Sequence, residues 1–176
     1  RKVEAIYEFG CGTGHHLLRL REINPGAKLY GLDWAESSQQ IIWEAVKNGL
    51  LTNTEAYHFD FFNPNYDLVL DEGGGVCTVA ALEQTGSQFK AFVDYLIKNK
   101  PKTCIHIEPI GELLDEENLL DYLSIAYFKK RNYLNGFLTY LRDLESEGAI
   151  KILKAQRTFV GSLFIEGYSV VVWAPC

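Results

Sequence analysis

The segment "EFGCGTG" (residues 8–14) sets three glycines at alternate positions between an apolar run and a helical one. Gly10 and Gly12 would let a ligand approach backbone atoms, and Gly14 would let the following helix pack closely on a sheet. The dinucleotide pattern GxGxxG would need a glycine at position 15, where the chain has His15. The arrangement is therefore GxGxG. Asp33 closes a second apolar run, "KLYGLD", where a carboxylate can accept both hydrogen bonds of a ribose diol. A glycine turn followed by such an acid describes a nucleoside site.

Fewer residues suggest catalysis. His15 and His16 open the helix after the glycines, and His15 is the candidate for a catalytic or substrate contact. Cys11 stands at the same helix start, where a thiol pKa can fall. With no base identified beside it, it reads as a small residue of the ligand loop. Cys104, His106 and Glu108 alternate along one strand pattern and so share a face. Glu108 lies at the carboxyl end, where it could accept a proton from a substrate hydroxyl; His106, deeper, reads as a core histidine. In the aromatic stretch "YLSIAYFKKRNYLNGFLTYL", Tyr127, Arg131 and Tyr133 are candidates to hold a polar acceptor. Arg157 and Glu166 flank the last turn as further candidates.

Alternating strand and helix patterns must position these groups. Strands are expected at 3–9, 28–34, 54–61, 66–72 ("YDLVLDE") and 102–110. Helices follow the glycines, follow Asp33, and occupy the stretch containing Phe89, Phe92, Val93, Leu96 and Ile97, whose spacing is that of one helix face. A long helical region from about Glu116 to Glu147, with Asp115 as its cap, reads as two helices or one bent one. "AIKILKAQRTF" and "EGYSVVVWA" then come with no helix between them and should pair antiparallel. The fold class is α/β: a doubly wound, mostly parallel seven-stranded sheet with an antiparallel C-terminal β-hairpin.

At this point the chain resembles the class I S-adenosylmethionine-dependent methyltransferases, over nearly its whole length in element order. "YEFGCGTG" is similar to their first motif, "LYGLDW" to their second and "HFDFF" to their third, while "YDLVLDEGGG" resembles the fourth strand and its loop. The resemblance implies S-adenosyl-L-methionine as cofactor and S-adenosyl-L-homocysteine as product. The implied cofactor residues are Glu8, Gly10, Cys11, Gly12, Gly14, Asp33 on the ribose, Trp34 beside the adenine, Asp60 on the adenine amino group, Phe61 by its backbone, and Gly75. The N-terminal helices that often cover the cofactor in this family are missing from the sequence given.

The expected activity is methyl transfer to a small-molecule or glycan-linked acceptor, with oxygen as the receiving atom. The alternatives are an NAD-dependent oxidoreductase, which would also use Asp33, and a non-catalytic binding module that kept the fold. The formal charge of −6 and the absence of an NPPY-like motif in "DEGGGV" argue against nucleic acid. At 176 residues with 47% apolar content the chain reads as one domain, with residues of about 115–147 as a possible substrate cover. No run of about 18 apolar residues and no signal layout is found, so the expected compartment is the cytoplasm. Scattered cysteines (Cys11, Cys77, Cys104, Cys176) suggest reduced thiols and no metal site. A chain that begins at Arg1 and holds no methionine is expected to be a piece of a longer one. The oligomeric state is open.

Overall fold

The computed structural model describes residues 3–176. Strand β1 (Ala5–Phe9) is buried along its whole length and pairs in parallel with β2 (Lys28–Asp33) on one side and β4 (Gly75–Val79) on the other. Outside β2 lies β3 (Thr54–His58), and outside β4 lies β5 (Thr103–Glu108), both parallel. The antiparallel pair β6 (Ile150–Gly161) and β7 (Glu166–Pro175) completes a seven-stranded sheet in the order β3-β2-β1-β4-β5-β7-β6. Strand order reverses between β1 and β4, so the crevice at their carboxyl ends is where such a sheet receives a ligand.

The pleat sorts the side chains of β1 onto two layers. Ala5, Tyr7 and Phe9 face a core shared with helices α3 (Lys90–Asn99) and α5 (Phe137–Ser146). Ile6 faces the opposite core, under helices α1 (His15–Ile23) and α2 (Glu36–Lys47). Glu8 shares the parity of Ile6, so this acidic residue of a buried strand points to α1. Its position in the sequence alone does not reveal that.

Two boundaries differ from expectation. The fourth strand is Gly75–Val79, not Tyr66–Glu72. The earlier segment commits its amides to side chains: Leu70 N–H donates to Asn99 Oδ1, Asp71 N–H to the Tyr7 hydroxyl and Asp67 N–H to Asn65 Oδ1. Those groups are then lost to a ladder, although Leu70 is buried as a strand residue would be. The long helical region is two helices, one of its two expected forms: α4 (Leu119–Arg131) and α5, separated where Asn132 and Gly136 take the left-handed conformation; what differs is where it starts. Its cap is Asn118, whose side chain accepts from Leu120 and Asp121 N–H, rather than Asp115.

Helix α4 is tied to the hairpin by ions. Arg157 donates from both terminal nitrogens to Asp121 at 2.7 Å and from Nε to Glu166 at 3.0 Å, while Ser124 Oγ accepts from Glu166 N–H. Arg157 and Glu166, sequence candidates for the site, thus form a structural clamp. Because β7 runs against β5, this clamp stands at the same sheet edge as the crevice. Among the described residues, no helix is long and apolar enough to cross a membrane.

Candidate active site

A cavity of about 870 Å³ opens at the carboxyl ends of β1, β2 and β4. Its floor is the glycine turn, which is stitched to the end of β2 because Gly10 and Cys11 N–H both donate to Leu32 O. Asp33 completes the join: Oδ2 accepts from Gly12 N–H at 2.8 Å and Oδ1 from Ala35 N–H at 2.9 Å. The carboxylate is 8% exposed and lines the cavity, so its remaining lone pairs are available to a ligand.

The three glycines serve different ends. A Cβ on Gly10 would overlap that of Ala81, so close approach there is to the protein's own β4 loop. One on Gly14 would come to 3.0 Å from Ile42 of α2. One on Gly12 would meet nothing within 4 Å, and Gly12 faces the cavity. Of the three, Gly12 is the residue whose missing side chain leaves room for a ligand rather than for packing.

Other walls carry several of the expected residues. Trp34 is 73% exposed and borders the cavity, as do Asp60 and Phe61. Asp60 Oδ1 also accepts from Phe62 N–H at 2.9 Å, closing a local turn with one of its two oxygens. Cys11 is buried in the floor, where burial and then the charges of Glu8 and Asp33 push its thiol up, making it an inert filler rather than a nucleophile. His15 is exposed at the rim, with its ring 3.7 Å from that of His16. His16 Nδ1 lies 2.7 Å from Glu8 Oε1. Glu8 itself stands behind the wall, 1% exposed, with Oε2 buried and unpartnered.

Three expectations are corrected. Gly75 opens β4, beside Ile6 and Thr103, at the end of the strand away from the cavity; it belongs to the sheet. Glu108 is fully buried, and its carboxylate accepts from Ala81 and Leu82 N–H with one oxygen and from Glu83 N–H with the other. It shapes the loop that walls the cavity instead of facing a substrate. Burial pushes its pKa up to about 7, against the opposing hydrogen bonds of Thr78 and of these amides. Tyr127, Arg131 and Tyr133 do not border the main cavity; Tyr127 and Tyr133 meet edge to face, Arg131 lies over the Tyr133 ring, and Tyr133 lines a second hollow beside α4. His106 is a core residue as expected, with Nδ1 2.9 Å from Thr78 Oγ1.

The loop role of Glu108 has a measurable consequence. Glu108→Ala leaves three inward amides without an acceptor and is expected to lower stability by about 3 kcal/mol or more in urea unfolding. Glu108→Gln keeps an acceptor oxygen and should lose less than half of that. Equal loss in both variants would contradict the assignment.

The far wall of the cavity was missed in the sequence: Val79, Ala80, Ala81, Gln84, Thr85 and, from β7, Tyr168. Setting the fourth strand at "GVCTV" would have put "AALEQT" at the crevice directly, and the hairpin register would have brought Tyr168 near it.

The fold is that of the class I S-adenosylmethionine-dependent methyltransferases. Among solved structures, the chain is similar to the O-methyltransferase NcsB1 from neocarzinostatin biosynthesis, crystallised with S-adenosylmethionine and 2-hydroxy-5-methyl naphthoic acid. The two share 16% identity at a TM-score of 0.66, over 99% of this chain and 49% of that one. It is also similar to the methyltransferase domain of the bacterial protein CtHen1 (16% identity, TM-score 0.67, 98% and 89% coverage). A third is magnesium protoporphyrin IX methyltransferase from Synechocystis PCC 6803 with bound S-adenosylhomocysteine (15%, 0.68, 99% and 75%). The chain spans about half the length of NcsB1. The sequence matches no protein-family model and no curated protein.

Proposed function

We propose that the chain binds S-adenosyl-L-methionine in this cavity and transfers its methyl group to an uncharged hydroxyl of a small-molecule or glycan-linked acceptor. The observation that carries the proposal is Asp33, a nearly buried carboxylate that joins the glycine turn to β2 while bordering a cavity of about 870 Å³. Bound there, the cofactor supplies a methyl group on a cationic sulfur, activated for in-line displacement.

The residues of this chain fit that ligand in character. Asp33 holds the ribose hydroxyls, Trp34 and Phe61 offer ring faces to the adenine, and Asp60 takes the adenine amino group. Carboxylates and aromatic rings around the cavity suit a positively charged nucleoside. Helix α1 begins at Gly14 with no side-chain cap, so its first amides remain to receive the ligand's carboxylate. The nicotinamide alternative loses ground here, because a pyrophosphate would have to approach at His15 rather than at a third glycine.

Beyond the donor, Gln84, Thr85 and Tyr168 form a wall without lysine or arginine, which favours a neutral acceptor. Protein groups then act mainly by holding the acceptor oxygen in line and excluding water. His15, at the rim, is a candidate to accept the hydroxyl proton.

Transfer of tritium from methyl-labelled S-adenosylmethionine to a panel of hydroxylated small molecules and glycans tests the reading. A labelled, extractable product is expected. Binding of the cofactor with no transfer to any acceptor class, cell extract included, would instead identify a binding module.

A further inference from the structure

We infer that His16, held from behind by Glu8, recognises the carboxylate at the amino-acid end of the nucleoside, the pair sharing a proton that keeps the cavity-facing ring nitrogen a donor. The inference rests on the cavity being an S-adenosyl nucleoside site and adds a residue and a pH dependence to it.

The pair is built by the fold. Glu8 has the parity of β1 that points at α1, and His16 sits in the first turn of that nine-residue helix, on the cavity wall. The contact of 2.7 Å uses His16 Nδ1 and Glu8 Oε1, leaving Nε2 as the ring nitrogen for the cavity. Uncapped amides of the same helical turn lie beside it. A side-chain donor at the positive end of a helix is a carboxylate site made of two independent parts.

Which form the pair takes follows from its surroundings. Burial drives Glu8 up, to about 8, with the Asp33 charge adding to the rise, and burial also drives His16 down. Both shifts favour a carboxylic acid donating to Nδ1 of a neutral ring. In that tautomer, as in the imidazolium–carboxylate one, Nε2 carries hydrogen. Loss of the shared proton leaves Nδ1–H on the carboxylate and a lone pair on Nε2, which repels a ligand carboxylate. The groups facing the pair are His15 on α1, Cys11 on the turn, Asp33 at the end of β2 and Cys77 on β4, opposite Glu8 in the ladder. Both thiols are pushed up by burial and stay protonated across this range.

The test is calorimetric, with S-adenosylhomocysteine and with 5′-methylthioadenosine, which lacks the amino-acid end, from about pH 6.5 to about pH 9.5. For the wild-type chain, S-adenosylhomocysteine affinity should fall about tenfold as pH rises through about 8, while that of methylthioadenosine stays flat. His16→Ala should weaken S-adenosylhomocysteine about tenfold at neutral pH and leave methylthioadenosine unchanged. His16→Gln, an amide donor that does not titrate, should recover part of the affinity with a flatter profile. The ligand's own ammonium titrates in every variant, so the difference between them isolates His16. The same affinity and the same slope in wild type and His16→Ala overturn the inference alone. Failure of both nucleosides to bind the wild-type chain overturns the nucleoside site itself, and the inference with it.

Discussion

Asp33→Ala is expected to weaken S-adenosylhomocysteine binding by about 100-fold or more. Two ribose hydroxyls donating to a carboxylate make charge-assisted bonds of about 1.5–3 kcal/mol each, and both are lost. The same carboxylate receives Gly12 N–H and Ala35 N–H, so the glycine turn also loses its fixed position against β2. Asp33→Asn separates these effects. The amide keeps one acceptor oxygen, so it should hold the turn better than alanine does, yet it still loses the charge and one hydroxyl acceptor. Its binding should therefore fall between wild type and alanine, with a melting temperature close to that of the wild type. An alanine variant that is folded and binds as tightly as wild type would remove Asp33 from the site.

The second large effect separates two glycines that look alike in the sequence. Gly10→Ala has to fit a methyl group where Ala81 Cβ already stands, at a φ of +72° that an alanine avoids. Neither atom belongs to a flexible side chain, so the turn and the β4 loop must move apart. We expect a loss of about 3 kcal/mol or more in stability, and with it the shape of the cavity. Gly12→Ala, with φ at +52° and no neighbour within 4 Å, carries only the backbone strain of about 1 kcal/mol. Its methyl group enters space the ligand would use. The expected Gly12→Ala protein melts near the wild-type temperature and binds S-adenosylhomocysteine about tenfold more weakly. Paired measurements of unfolding and binding check both expectations. Similar stability losses in the two variants would mean that the glycines share one structural role.

Much of this site is legible in the sequence because local chemistry defines it. A strand of apolar residues, a turn of glycines and an acid ending the next strand are all short-range patterns; Gly10, Gly12 and Asp33 border the cavity and Gly14 precedes α1, while Trp34, Asp60 and Phe61, which also border it, follow only from the family resemblance. The antiparallel ending was equally plain, since two strand patterns without a helix between them leave little other choice. What failed was long-range. "YDLVLDE" has the alternation of a strand, but its amides are taken by Asn99 and Tyr7, residues remote in the chain. That error moved the loop after the fourth strand and so misplaced Gly75 and hid Ala81, Gln84 and Thr85. Alternation put Glu108 on the right face and at the right end of β5. It could not show that three amides of the neighbouring loop would occupy the carboxylate. Nor could the sequence show that Tyr127, Arg131 and Tyr133 pack on one another away from the cavity.

The most direct test of the account is calorimetric titration of the chain with S-adenosylhomocysteine and, separately, with NAD at neutral pH. One S-adenosylhomocysteine site per chain is expected, lost in Asp33→Ala, with no heat of binding with NAD. Binding of NAD with no binding of S-adenosylhomocysteine would contradict it.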